Sequence, residues 1–256
     1  GVISRGYGRR DVNTQMVGPD SRAGEVGDEP LLIHRRIRAP FAVGTRRAEA
    51  ARVAVAAQPT IDVLVADDGL QHHALARDVQ VMVFDARGVG NGLLLPAGPL
   101  RQPMPAQVPA ASLVLYTDGM ASTPLPGFTA TRRLAGAVEL AAWWRNEPPT
   151  DGALQALRGR LLVACAGTAR PERFFEMLRG AGLQLRTIAL PDHASFEPMP
   201  WPAEATDVIV TEKDAVKIRP ERVGRTRVWV APLDLQPEAA FGLALQRLLP
   251  TLLRTR

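Results

Sequence analysis

Two aspartates stand side by side at Asp67 and Asp68, directly after the apolar run Ile61–Ala66 and before Gly69 and the Gln71-His72 pair. Adjacent carboxylates repel, so both need a partner if they are to stay ionised together. A short run rich in Val and Ile reads as a buried parallel strand. Ligands of open α/β sheets sit beyond the carboxyl ends of their strands. That placement suits a metal ion or a phosphate; the same two residues would also serve as a cap for the next element. On this stretch alone both readings stand.

Other residues of chemical interest are spread along the chain. Arg5-Gly6-Tyr7-Gly8-Arg9-Arg10 is a basic loop punctuated by glycines, whose backbone N–H groups can approach an anion while arginines fork onto phosphate oxygens; a solvated surface loop accounts for it equally well. Gly27-Asp28-Glu29-Pro30 precedes the amphipathic run LLIHRRIR, a good helix start with Asp28 at or near the N-cap and Pro30 in the first turn. Its exposed side is expected to be strongly basic through His34, Arg35, Arg36 and Arg38. His193 lies in LPDHASF directly after a strand-like segment, at a sheet's carboxyl edge. Lys213 and Lys217 are the chain's two lysines, both in TEKDAVK. In a protein that otherwise uses arginine, they hint that a compact ammonium is wanted there, although an i,i+4 charge pattern on a solvated helix start accounts for them equally well.

The elements that must position these residues alternate. Strands are expected at Gly1–Ser4, Pro40–Val43, Ile61–Ala66, Asp78–Phe84 and Ala111–Tyr116, with an alanine-rich helix at Arg46–Ala57. Gly88–Pro105 is a long loop rich in Gly and Pro that carries Arg101, and long ordered loops tend to be functional. Pro and Gly density rises at Ser122–Gly127, which places a domain boundary near residue 125. The rhythm resumes with LLVACAG, a helix from Pro171, LQLRTIAL, DVIVTE, RVWVAPL and a closing helix from Pro237. Strands and helices at this spacing argue a doubly wound α/β sheet.

Composition sets the outer limits. With 46% hydrophobic and 22% charged residues, 256 residues suffice for one large domain or two small ones. Cys165 is the single cysteine, so no internal disulfide forms, and its apolar setting reads as a buried structural thiol. The net charge of +5 and a pI near 10.2 invite a nucleic-acid reading. Scattered arginines and 5% aromatic residues weaken it, because no stacking platform is visible. An anionic lipid surface or a phosphorylated substrate suits the charge as well.

Taken in order, SRGYGR (Ser4–Arg9), GDEP (Gly27–Pro30), DDGLQH (Asp67–His72), RD (Arg77–Asp78), LPAGPLR (Leu95–Arg101), PDH (Pro191–His193) and TEKDAVK (Thr211–Lys217) resemble the tetraacyldisaccharide 4′-kinase family. Each piece is short, but seven in order across nearly the whole chain are specific. The resemblance implies an α/β fold: a P-loop NTPase-like, mostly parallel sheet flanked by helices, with a second smaller α/β domain. Residues 1–125 would form the kinase core and 126–256 the C-terminal domain. It implies ATP-dependent phosphorylation of the 4′-hydroxyl of a tetraacylated glucosamine disaccharide 1-phosphate in lipid A biosynthesis, with ATP and Mg²⁺ as cofactors. Asp28 would be the base and His193 its dyad partner; Asp67, Asp68 and Glu29 would surround Mg²⁺. Arg5, Arg101 and Lys213 would meet the nucleotide. Partners would be the lipid-linked disaccharide and an anionic inner-membrane surface at its cytoplasmic face, and no nucleic acid.

Two departures accompany the resemblance. No GxxxxGK[ST] phosphate loop occurs in the sequence, so the core is expected to lack the P-loop strand and helix, and the chain to be an N-terminally incomplete member without the anchoring helix. Gln102 stands where the family motif usually has Glu after Leu-Arg. The alternatives kept open are a non-catalytic fragment of such a kinase and a basic anion- or nucleic-acid-binding module.

Overall fold

Buried strands set the architecture. In Leu161–Ala166 and Asp207–Val210, successive side chains enter two different cores. Leu162, Ala164, Ala166 and Ile209 pack with Phe174, Phe175 and Leu178 on one face. Cys165, Val208 and Val210 pack on the other with Val2, Phe41, Leu31 and Trp143. Strands apolar on both faces are those of a parallel sheet covered on both sides, which is why these segments read as unbroken hydrophobic runs.

The computed structural model describes residues 1–253, and the chain divides into two units. The first comprises Gly1–Asp67 and Leu134–Asp234. It holds a four-stranded sheet in the order Gln15–Met16, Phe41–Val43, Val2–Ser4, Val65–Ala66. The last three strands are parallel to one another and the edge strand Gln15–Met16 is antiparallel. It also holds a five-stranded sheet in the order Gln184–Ala189, Leu161–Ala166, Asp207–Val210, Arg227–Val230, Val138–Glu139. Here the first four strands are parallel and Val138–Glu139 is antiparallel. The helices Asp28–Ile37 and Arg47–Ala57 belong to the first sheet, and Pro171–Gly180 covers the second. Leu31 contributes to the core that Phe41, Val43 and Val208 share, so the Asp28 helix is packed by one hydrophobic cluster that serves both sheets.

The second unit comprises Asp68–Arg133 and the segment from Leu235. Its sheet has the order Leu233–Pro237, Phe128–Leu134, Ser112–Tyr116, Gln80–Phe84, with the last three strands parallel. The expected loop Gly88–Pro105 is ordered by hydrogen bonds within itself: Leu95 N donates to Leu100 O at 2.8 Å, and the Asn91 side-chain Nδ2 to Ala97 O at 2.8 Å.

Three expectations need correction. The strand expected over Ile61–Ala66 is restricted to Val65–Ala66, which pair in parallel with Val2 and Ile3. The expected boundary near residue 125 falls inside the second unit. Its Pro/Gly-rich segment is a tight connection within one sheet, held where Tyr116 Oη donates to Leu125 O at 2.7 Å. The Asp28–Ile37 helix does not present a uniformly free basic side. The Arg35 guanidinium stacks on Trp143 and Trp144, at 4.8 and 4.2 Å from the ring centroids, and Arg36 pairs with Glu212. Among the described residues no helix is long and apolar enough to cross a membrane.

Candidate active site

The chemistry of the first unit concentrates at the carboxyl rims of its two parallel sheets. Gly6 and Gly27 bring the pieces together. Both have positive φ, +69° and +97°, and a Cβ on Gly6 would lie 2.7 Å from Val26 O. Without side chains, the loop after Val2–Ser4 can press against the start of the Asp28–Ile37 helix. Gly27 is that helix's N-cap and Asp28 its first residue. The Asp28 carboxylate, 6% exposed, therefore sits at the positive end of a helix dipole and accepts from Glu29 N at 3.0 Å.

Facing it is His193, which follows the strand Gln184–Ala189. Its Nδ1 lies 3.1 Å from Asp28 Oδ1 and 3.0 Å from Oδ2, across 165 residues of sequence. With the proton on Nδ1, the imidazole donates to the carboxylate and fixes its orientation. His193 holds a left-handed backbone, φ +58°, unusual for a side-chain-bearing residue. The Tyr7 ring lies 5.3 Å from the imidazole.

A second layer of charge surrounds this pair. Lys213 Nζ lies 2.9 Å from Glu29 Oε1 and 3.0 Å from Asp192 Oδ1. Burial works to lower the Lys213 pKa, but the hydrogen bonds to Glu29 and Asp192 and the charges of Glu29 and Asp28 outweigh it and raise the value. Burial likewise works to raise Asp192, and the Lys213 hydrogen bond and charge bring it below the usual carboxylate range. Lys213 sits in a one-turn helix whose N-cap is Thr211, its hydroxyl accepting from Asp214 N. Asp214 is fully buried, accepting from Gly167 N at 3.0 Å, Thr211 Oγ1 at 2.8 Å and Lys217 Nζ at 2.8 Å. Lys217 Nζ also donates to Ala194 O at 3.0 Å and stands 4.9 Å over the Phe196 ring.

The structure thus brings Asp28, His193, Glu29 and Lys213 together. Glu29 was expected beside a metal and Lys213 beside a nucleotide; in the structure the two also pair with each other, at 2.9 Å. Asp67 follows the strand Val65–Ala66, at the carboxyl rim as expected, and accepts from Ser4 Oγ at 3.0 Å. Asp68 begins the second unit with a left-handed backbone, φ +48°, and Arg101 is exposed in that unit's long loop. Arg5 is exposed directly after Ser4. No group of three or more His, Cys, Asp and Glu side chains that could hold a metal ion is found among the described residues.

Asp192, Glu212 and Tyr7 escaped the sequence reading. Asp192 adjoins the single histidine of the chain's second half, and Glu212 adjoins Lys213. The signal was present in both cases: two lysines and a histidine crowded near carboxylates. Which residue would pair with which depends on the fold.

A buried carboxylate oriented by an imidazole at a helix start is equipped to take a proton from an alcohol. The chain matches the family model LpxK, tetraacyldisaccharide-1-P 4′-kinase, over residues 1–250. It is 58% identical over 257 residues to the tetraacyldisaccharide 4′-kinase of Methylibium petroleiphilum, covering 98% of this chain and 72% of that protein. Against the tetraacyldisaccharide 4′-kinase of Leptothrix cholodnii the identity is 51%, over 98% of this chain and 73% of that one. Its fold matches the crystal structure of the "apo" form of LpxK from Aquifex aeolicus in complex with ATP, with a TM-score of 0.75 at 22% identity, covering 98% of this chain and 78% of that one. The paired Asp28 and His193 therefore sit in a chain that belongs to the tetraacyldisaccharide-1-P 4′-kinase family.

Proposed function

We propose that this chain serves ATP-dependent transfer of a phosphoryl group to the 4′-hydroxyl of a tetraacylated glucosamine disaccharide 1-phosphate, in lipid A biosynthesis. Asp28 is the base that removes the hydroxyl proton, and His193 orients its carboxylate. The observation that carries this reading is the contact of His193 Nδ1 with both Asp28 oxygens, at 3.0 and 3.1 Å. Phosphoryl transfer asks the protein mainly to position reactants, neutralise charge and place a base on the nucleophile.

The donor set suits Mg²⁺ in a restricted way. Mg²⁺ keeps several waters and takes one or two carboxylates plus substrate phosphates, so it does not require a three-carboxylate cage. Asp67, held by Ser4 at the strand end, is the carboxylate of the first unit that would hold it; Glu29 is engaged with Lys213. When bound, the ion neutralises charge on the phosphates. Arg5, exposed directly after the strand Val2–Ser4, supplies a cation for phosphate oxygens. The net charge of +5 supports peripheral contact with an anionic membrane surface, the cytoplasmic face of the inner membrane.

The test is Asp28→Ala in the full-length kinase, assayed with ATP and the disaccharide. Loss of a positioned base lowers kcat by about 10²–10⁴-fold; unchanged turnover overturns the assignment of Asp28.

A further inference from the structure

The two residues of the dyad each have a charged neighbour in sequence, Glu29 after Asp28 and Asp192 before His193, and both neighbours converge on one ammonium. We propose that Lys213 is a positioning residue for the dyad, a bridge from the Asp28 helix start to the His193 loop that keeps the imidazole on the carboxylate. The inference rests on the reading of Asp28 as base and deepens it. The geometry is direct: Lys213 Nζ reaches Glu29 at 2.9 Å and Asp192 at 3.0 Å, and its side chain is 16% exposed. His193 holds a left-handed φ of +58°, a conformation that costs a side-chain-bearing residue energy and persists where the surroundings fix it. Lys217 supplies a second hold on the same loop, through Ala194 O and Asp214. A compact ammonium can donate to two carboxylates from different elements through freely arranged N–H bonds, whereas a guanidinium imposes a planar fork. This accounts for lysines here in a chain of arginines. With two of its three donors on carboxylates, Lys213 serves the protein's own framework.

Misplacement by about 1 Å costs a reaction on the order of 10²-fold, so in the full-length kinase Lys213→Met is expected to lower kcat about 10–100-fold with KM for ATP and for the disaccharide changed less than about threefold. Combined with His193→Ala, it should add almost nothing, since a bridge that acts through His193 has nothing left to position. Asp192→Asn removes the charge of one arm while sparing the lysine, and keeps the inference testable should Lys213→Met fold poorly; a fall of a few-fold in kcat at constant KM is expected. A raised KM for ATP at unchanged kcat, additive loss in the double variant, or full kcat in Asp192→Asn overturns the bridge. Asp28→Ala, assayed beside them, reads the base alone. A severe loss there with normal kcat in Lys213→Met removes the bridge and leaves the base, whereas full activity in Asp28→Ala removes the base.

Discussion

Arg36 Nε donates to Glu212 Oε2 at 2.8 Å. The other oxygen of the same carboxylate accepts from the buried Trp143 Nε1 at 2.9 Å. Arg36 lies two turns beyond Asp28 on one helix, and Glu212 immediately precedes Lys213, so the helix that begins with the base is fastened near its far end as well as at its start. The fastening joins an element that follows the five-stranded sheet to one that belongs to the four-stranded sheet.

Glu212→Ala is therefore expected to destabilise the protein. Arg36 is 38% exposed, so solvent screens its attraction and that pair contributes little. The larger effect is the indole N–H of Trp143, left buried without an acceptor, at about 1–3 kcal/mol. Urea unfolding should show a lower midpoint with an unchanged slope. A midpoint equal to that of the parent protein would show that Glu212 is dispensable.

Much of this arrangement was legible before the fold. The strand-like runs LLVACAG and DVIVTE, the GDEP helix start and the rim position of His193 follow from periodicity and turn chemistry, which are local. The pairing of Glu29 with Lys213 was not legible, because it joins residues from opposite ends of the chain and both have chemically sensible alternatives in a phosphate or a metal. The short strand Val65–Ala66 was overestimated for a related reason: an apolar run states preference for burial, while a strand also requires a backbone partner. The segment at Ser122–Gly127 misled because Pro and Gly mark a turn without saying whether it lies inside a domain or between two.

His193→Ala should lower kcat on the order of 10–10²-fold while KM for the disaccharide stays nearly constant, since the imidazole touches Asp28 and acts on the proton transfer. Steady-state kinetics on the full-length kinase separate the two parameters. An effect confined to KM assigns His193 to substrate binding instead.

Gly27→Ala places a Cβ 3.1 Å from Tyr7 O and 3.3 Å from Gly6 Cα at a backbone of φ +97°, ψ 149°, a region that side-chain-bearing residues almost never enter. The expected cost is about 1–3 kcal/mol of stability. Because Asp28 is the next residue, kcat should fall with it even where the protein stays folded. Thermal melting and turnover, measured on the same preparation, check both parts.

Burial, together with the charge of Asp214, pushes the Cys165 thiol from 9.0 up to about 12. The native protein should resist iodoacetamide at pH 8 under conditions that fully alkylate the urea-unfolded chain, read by intact mass. The sign of the linked stability follows from the same shift. Above about pH 9 the unfolded chain releases this proton while the native state retains it up to about pH 12, so this group makes stability fall as pH rises through that interval. Rapid alkylation of the folded protein at pH 8 would contradict the burial.

The four parallel strands of the five-stranded sheet all point the same way, and Gly167, the His193 loop and Thr211 leave from the rim where they end. The opposite rim is at least one strand away, about 13 Å for four residues. There Gly224 and Arg225 form an exposed turn ahead of Arg227–Val230, and a Cβ on Gly224 would meet no heavy atom within 4 Å. Sheet polarity thus gives the protein a working rim and an idle one, and the idle rim is the place to splice an affinity handle or a fluorescent reporter without disturbing the chemistry.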